Sequence, residues 1–187
     1  MASNYPPYEE IVTIRRKLRD MELQHWLNDD LFSFNWWLIL VLTIVFWMVW
    51  FKVVDRRRLM EITFFGAMIV VASTVLDLIG VNLVLWAYPD RLEPLSPSLI
   101  PGDLVMMPVS YMLVYQYYGH QTRPFLIATT LVALVMAFGI EPLLAYAGIY
   151  EIYTWKYVYS FPIYVLLVWT MRTFVHKLQR HQQPPSH

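Results

Sequence analysis

A chain of 187 residues that is 58% hydrophobic, 17% aromatic and only 15% charged falls outside soluble-domain composition, where charged residues make up roughly 25%. Its 14 basic residues equal its 14 acidic ones, so no basic excess points to nucleic acid. Cysteine is absent, which excludes thiol catalysis, thiolate metal sites and disulfides together.

The first thirty residues are polar and charged. No cleavable signal peptide is expected there, and the first span must itself direct insertion. Within this stretch, residues 8–30 predict an amphipathic helix. Ile11, Ile14, Leu18 and Met21 repeat at three-and-four spacing, with Arg15, Arg16, Lys17 and Arg19 on the other faces. Such a helix lies at a membrane interface or against the bundle; a partner-binding or dimerising role is the alternative. The sequence assigns it to an N-terminal segment, 1–33.

Five apolar segments follow, and the predicted fold is all-α: a polytopic membrane bundle of five transmembrane helices over 34–176, then a disordered polar tail, 177–187. The first span covers about 35–53, with tryptophans near both ends as an aromatic belt places them. The second covers about 60–85. The third, about 99–118, contains Pro101 and Pro108. The fourth, about 125–147, is interrupted at Gly139 and Pro142, and the fifth, about 155–174, contains Pro162. Each interior proline deletes a backbone hydrogen bond, and in lipid the freed carbonyl needs a partner within the protein. The third, fourth and fifth spans are therefore expected to pack together, leaving the first more lipid-facing. No internal repeat is visible, which argues against an inverted-repeat transporter.

Basic residues set the orientation. Lys52, Arg56, Arg57, Arg58, Arg123, Arg172, Lys177 and Arg180 fall on one side, against Arg91 and Lys156 on the other. The positive-inside rule then places the N-terminus outside and the C-terminus in the cytoplasm. The basic N-terminal helix pulls the other way, because it suits an anionic cytoplasmic leaflet. The short, dense loop carries more weight because its charges adjoin span ends.

Counting turns brings Asp77, Asp103, Glu141 and Lys156 to one depth, near the outer side. A charge in hydrocarbon costs about 2.5–3.5 kcal/mol, so intramembrane acids mark sites more often than surface acids do. Each also has a plainer reading. Asp77 can bond Ser73 one turn earlier, and Asp103 in Pro-Gly-Asp can cap its own helix. Glu141, between Gly139 and Pro142, can satisfy a broken turn, while Lys156 beside Trp155 and Tyr157 can anchor at the interface. Jointly, the four relieve their desolvation best in a shared polar cavity. Asp77 and Glu141 are the candidate proton donors there.

Aromatics surround this level. Tyr111, Tyr115 and Tyr118 share one helical face, and Tyr146, Tyr150, Tyr153, Tyr157, Tyr159 and Tyr164 crowd the fourth-to-fifth hinge. They are packing or belt residues, or an aromatic cage for a cation or carbocation. Ser160 and Tyr164 follow Lys156 at four-residue steps and can face the same cavity. Candidate ligand-binding residues are thus Asp103, Tyr111, Tyr115, Lys156, Ser160 and Tyr164. No Walker loop, dinucleotide turn, HExxH pair or nucleophile elbow occurs, and the five histidines (His25, His120, His176, His181, His187) are read as scattered. Neither a metal nor a cofactor is predicted.

The segments LWAYPDRLEP, IPGDLVMMPVSYMLVYQYY and FGIEPLLAYAGIYEIYTWKYVYSFPIY, between Asp77 and Phe174, resemble a family of small multi-spanning membrane proteins of spore-forming Firmicutes. The resemblance implies a bacterial cell membrane protein and carries no assigned activity. In design alone the chain is similar to integral-membrane terpenoid cyclases, which also set acids and aromatics in a compact bundle. Three functions remain open. The first is a protein that binds a small apolar or cationic ligand, a lipid or a partner, with a homo-oligomer among the options. The second is an acid/base enzyme on an isoprenoid-like substrate, and the third a proton- or cation-coupled carrier.

Overall fold

The computed structural model describes residues 5–96 and 99–182. The chain opens with α1 (Tyr8–His25), which runs into a π turn, Trp26–Asp30. After a sharp break at Phe32, whose φ is 65°, α2 (Phe34–Val53) starts on Ser33, whose Oγ accepts from the Trp36 amide. A 3-10 turn, Arg56–Arg58, capped by Asp55, leads into α3 (Leu59–Asn82). A second π turn, Gly102–Met106, precedes α4 (Met107–Tyr118). Helix α5 (Thr122–Val135) continues through a third π turn, Met136–Ile140, into the short α6 (Glu141–Tyr146). The chain ends in α7 (Tyr157–Gln182).

The described residues are helical apart from loops and two short strands, so the all-α expectation holds. Four helices are long and apolar enough to cross a membrane: Phe34–Val53, Arg56–Asn82, Thr122–Tyr146 and Tyr157–His181. The expected third span is not among them. Its regular part, α4, has only 12 residues, because the π turn interrupts the helix ahead of Pro108. Helix α7 runs to Gln182, so the start of the expected tail at 177 is helical; 183–187 lie outside the described residues.

The short α4 is the centre of the bundle. Val109, Tyr111, Met112 and Tyr115 are almost fully buried, and α3 and α5 pack on either side. Phe65 of α3 stacks on Tyr115 at 4.3 Å between centroids, and Val168 and Val175 of α7 complete this core. The first apolar helix is peripheral: 11% of its most apolar window is buried, against 33% for α3. Expected neighbours thus pack together, with α3 added to them.

At one end of the bundle, two helices finish in the same way. After α3, Leu85 N–H bonds Gly80 O and Val84 N–H bonds Val81 O; after α6, Ile149 N–H bonds Leu144 O and Gly148 N–H bonds Ala145 O. Both are Schellman caps, with Val84 (φ 53°) and Gly148 (φ 78°) in the left-handed position. The two exits pair as antiparallel strands, β1 (Trp86–Ala87) and β2 (Glu151–Ile152), with Trp86 opposite Ile152. This small bridge spans the end of the bundle. The following loop is strapped to the N-terminal region. Trp26 and Trp36 indoles donate to Arg91 O and Leu92 O, and Asn35 donates to both Asp90 and Ala147 O.

Candidate functional site

Beneath the β1–β2 bridge lies a cavity of about 250 Å³, against the roughly 10–15 Å³ that one water needs, so it is a chamber and not a packing defect. Asp77, Asp103 and Glu141 all line it, each buried. Among the described residues its lining contains no Lys, Arg or His.

Two of these acids owe their placement to proline. Pro108 and Pro142 lack the N–H that a regular helix needs, and each ring would strike the carbonyl four residues earlier. The helix widens to π geometry just upstream of each, over Gly102–Met106 and Met136–Ile140. Asp103 sits inside the first widened turn and Glu141 directly after the second. Asp77 instead lies on regular α3.

Asp77 Oδ1 accepts from Tyr88 Oη at 2.6 Å and from Trp86 Nε1 at 2.8 Å. Gly80 makes the second contact possible: a Cβ there would lie 2.0 Å from the Trp86 ring, so only glycine lets the indole rest on α3. The Asp77 and Asp103 carboxyls are within hydrogen-bonding reach of each other, and the Oδ2 of each is buried. Two carboxyl oxygens brought this close can be joined by a single proton, which is the arrangement that relieves their mutual repulsion. Glu141 stands apart, accepting from Ser160 Oγ at 3.0 Å and from the Tyr164 hydroxyl. Trp155 Nε1 donates to Ser160 Oγ at 2.9 Å and extends that network to the roof.

The roof consists of two aromatic pairs, one member from each strand exit. Trp86 meets Trp155 edge-on at 5.0 Å, and Tyr88 stacks on Tyr150 at 5.5 Å. Burial, reinforced by the Asp77 and Asp103 charges, keeps the Tyr88 hydroxyl protonated well above the ordinary phenol range. Burial first, and then Glu141, raises Tyr150 in the same sense. Both keep their hydroxyl protons, and Tyr88 donates its own to Asp77.

The sequence-predicted residues divide accordingly. Asp77, Asp103, Glu141, Ser160 and Tyr164 meet around one chamber. Asp103 faces it and does not cap its own helix, while Ser73 approaches Asp103, not Asp77. Three expectations are corrected. Lys156 is exposed, because the chain turns at Trp155 and sends that indole inward instead. Tyr115 lies at the opposite end of α4, donating to Glu61 at 2.7 Å. Tyr111, one turn before it, is fully buried outside the lining, its hydroxyl unpartnered. Of the hinge tyrosines, Tyr146 is 91% exposed, and Tyr153 and Tyr159 also point outward.

Trp86, Tyr88 and Trp155 were not legible as site residues. They look like belt aromatics at span ends, and the nine-residue step from Asp77 to Trp86 fits no helical period. The turn-back through Val84 creates it. Also unanticipated is a polar cluster at the far end: Arg58 grips Glu61 through two nitrogens at 3.1 and 3.0 Å, and His120 lies 3.5 Å from the same carboxylate. His120 stacks on His176 at 5.6 Å, two histidines that sequence spacing separates. No family model, curated protein or solved structure matches the chain.

Proposed function

We propose that this is a multi-pass protein of a bacterial cell membrane that binds a small apolar ligand carrying a cationic or hydrogen-bond-donating group. The carrying observation is the chamber itself: three carboxyl groups, an aromatic roof and, among the described residues, no basic side chain in the lining. Such a lining attracts positive charge or donors through its acids and ring faces, and its apolar remainder suits a hydrocarbon body. In this reading the π turn and α4 together count as a fifth, central span, sheltered from lipid by its neighbours. The chamber opens toward the outside, with Arg56, Arg57, Arg58 and Arg172 at the cytoplasmic end, in keeping with the positive-inside rule.

The test is mass spectrometry of extracts from purified protein, with Asp77→Asn/Asp103→Asn as the comparison. The expected result is an amine- or hydroxyl-bearing apolar molecule, enriched over bulk lipid in the wild type and lost from the variant. Recovery of bulk membrane lipids alone, together with unchanged tryptophan fluorescence on titration with amphiphilic amines, would overturn the proposal.

The juxtaposition of the buried Asp77 and Asp103 carboxyls in one chamber favours a second reading, acid catalysis on an isoprenoid-like substrate. The protonated carboxyl would add its proton to an alkene carbon. The resulting carbocation would rest against Trp86 or Tyr150, and a carboxylate would take a proton back from a neighbouring carbon. The sequence is a net-neutral isomerisation or cyclisation needing no oxidant. Here Asp77→Asn abolishes turnover while melting temperature stays near wild type. A matching loss of stability would instead assign the acid to structure.

A further inference from the structure

The π turn that ends the N-terminal helix gathers ligating atoms that the chamber does not use. His25 Nε2 lies 3.3 Å from Asp30 Oδ1 and 3.9 Å from Asp29 Oδ2, and the three atoms all fall within 4.8 Å of one another. Asp30 is 1% exposed. Its Oδ2 accepts from the Arg91 backbone N–H at 3.2 Å, whereas Oδ1 is buried, aimed at His25 and makes no hydrogen bond. A buried carboxylate oxygen is costly without a counter-charge, and His25 Nε2 at 3.3 Å is the group set to supply one or to share one with a bound cation. Asp90 adds a second negative charge beside Asp30, and the nearby Arg91 guanidinium is shared with Glu22 at 3.4 Å.

We propose that His25, Asp29 and Asp30 form a binding site for a first-row divalent cation, zinc being the best match. One imidazole with two carboxylates is a zinc-type donor set that leaves a position for water. Donors about 2.0–2.1 Å from a tetrahedral metal stand roughly 3.4 Å apart. The His25–Asp30 pair already has that spacing. Asp29 is exposed and free to move, and its Oδ2 would need to close on His25 by about 0.5 Å to match that spacing. The Arg91 amide supplies the supporting contact that orients a ligating carboxylate. Because Arg91 belongs to the loop after β1, the ion would clamp the N-terminal helix to the loop beside the chamber roof.

The plainer alternative is a His25–Asp30 ion pair, and the experiment separates the two. Untagged full-length protein in detergent, stripped with a chelator, is titrated with zinc by calorimetry and by thermal shift. The expected result is one zinc per chain at micromolar concentrations or below, with a raised melting temperature. Affinity should fall at least tenfold in His25→Ala and in Asp29→Asn, both exposed positions that leave folding intact, and stay unchanged in His120→Ala. Absence of saturable zinc binding overturns the proposal. So does binding that survives His25→Ala, or a melting temperature that falls in His25→Ala while the wild type ignores zinc.

Discussion

Each acid in the chamber is held differently, and this sets what its replacement should do. Glu141 accepts from two hydroxyls, so Tyr164→Phe removes one donor from a buried carboxyl. A loss of about 1–3 kcal/mol in unfolding free energy is expected, measured by chemical denaturation in micelles. Ser160→Ala should cost a similar amount and also free the Trp155 indole, which the fluorescence spectrum would report as a shift. Gly80→Ala acts by another route. Its methyl group would fall 2.0–2.6 Å from three Trp86 ring atoms, which belong to a rigid indole. The ring must leave, breaking its bond to Asp77. The expected destabilisation is about 1–3 kcal/mol with loss of ligand copurification, whereas Gly139→Ala, with open space around it, should be nearly silent.

At the scale of elements, the matched helix exits set the behaviour of the roof. Val84 occupies a left-handed position that glycine holds at the equivalent exit after α6. A β-branched residue there is strained by about 1–2 kcal/mol, partly offset in any glycine variant by added freedom of the unfolded chain. Val84→Gly should therefore raise stability by roughly 0.5–1 kcal/mol, readable as a higher midpoint in denaturant, with ligand binding unchanged. These elements also show what the sequence could convey. Long apolar runs announce α2, α3, α5 and α7 directly, and proline positions announce where helices are disturbed. The type of disturbance was hidden: a proline in a pattern reads as a kink, and only packing decides that the helix widens into a π turn and swings an acid inward. The acids were legible because charge in an apolar run is expensive. Trp86, Tyr88 and Trp155 were not, since their roles arise from a two-residue strand pairing that no periodicity encodes.

For the whole molecule, the two ends carry opposite chemistry. The chamber end concentrates carboxyls, while the other end holds Arg58 and Arg172, with Arg172 donating to Gly119 O at 2.7 Å and lying over Phe125 at 4.9 Å. Because the chain has no cysteine, single cysteines report orientation without background. Under the proposed topology, Lys156→Cys should react with an impermeant maleimide added to intact cells, and Arg57→Cys only after permeabilisation. Reversed labelling would invert the protein, and equal labelling of both would remove the span count. Neither result would disperse the acids, whose meeting is internal to the bundle.

The widened turns have one more implication. A π turn holds one residue more than the α turn it replaces, so each can be regarded as a single-codon insertion that a downstream proline makes tolerable. Deleting Leu104 together with Pro108→Ala should restore an unbroken helix with both flanks still facing their neighbours. The bundle would stay folded by circular dichroism, yet Asp103 would rotate out of partnership with Asp77 and the ligand would be lost. If so, the chamber is one small indel away from an inert helical packing.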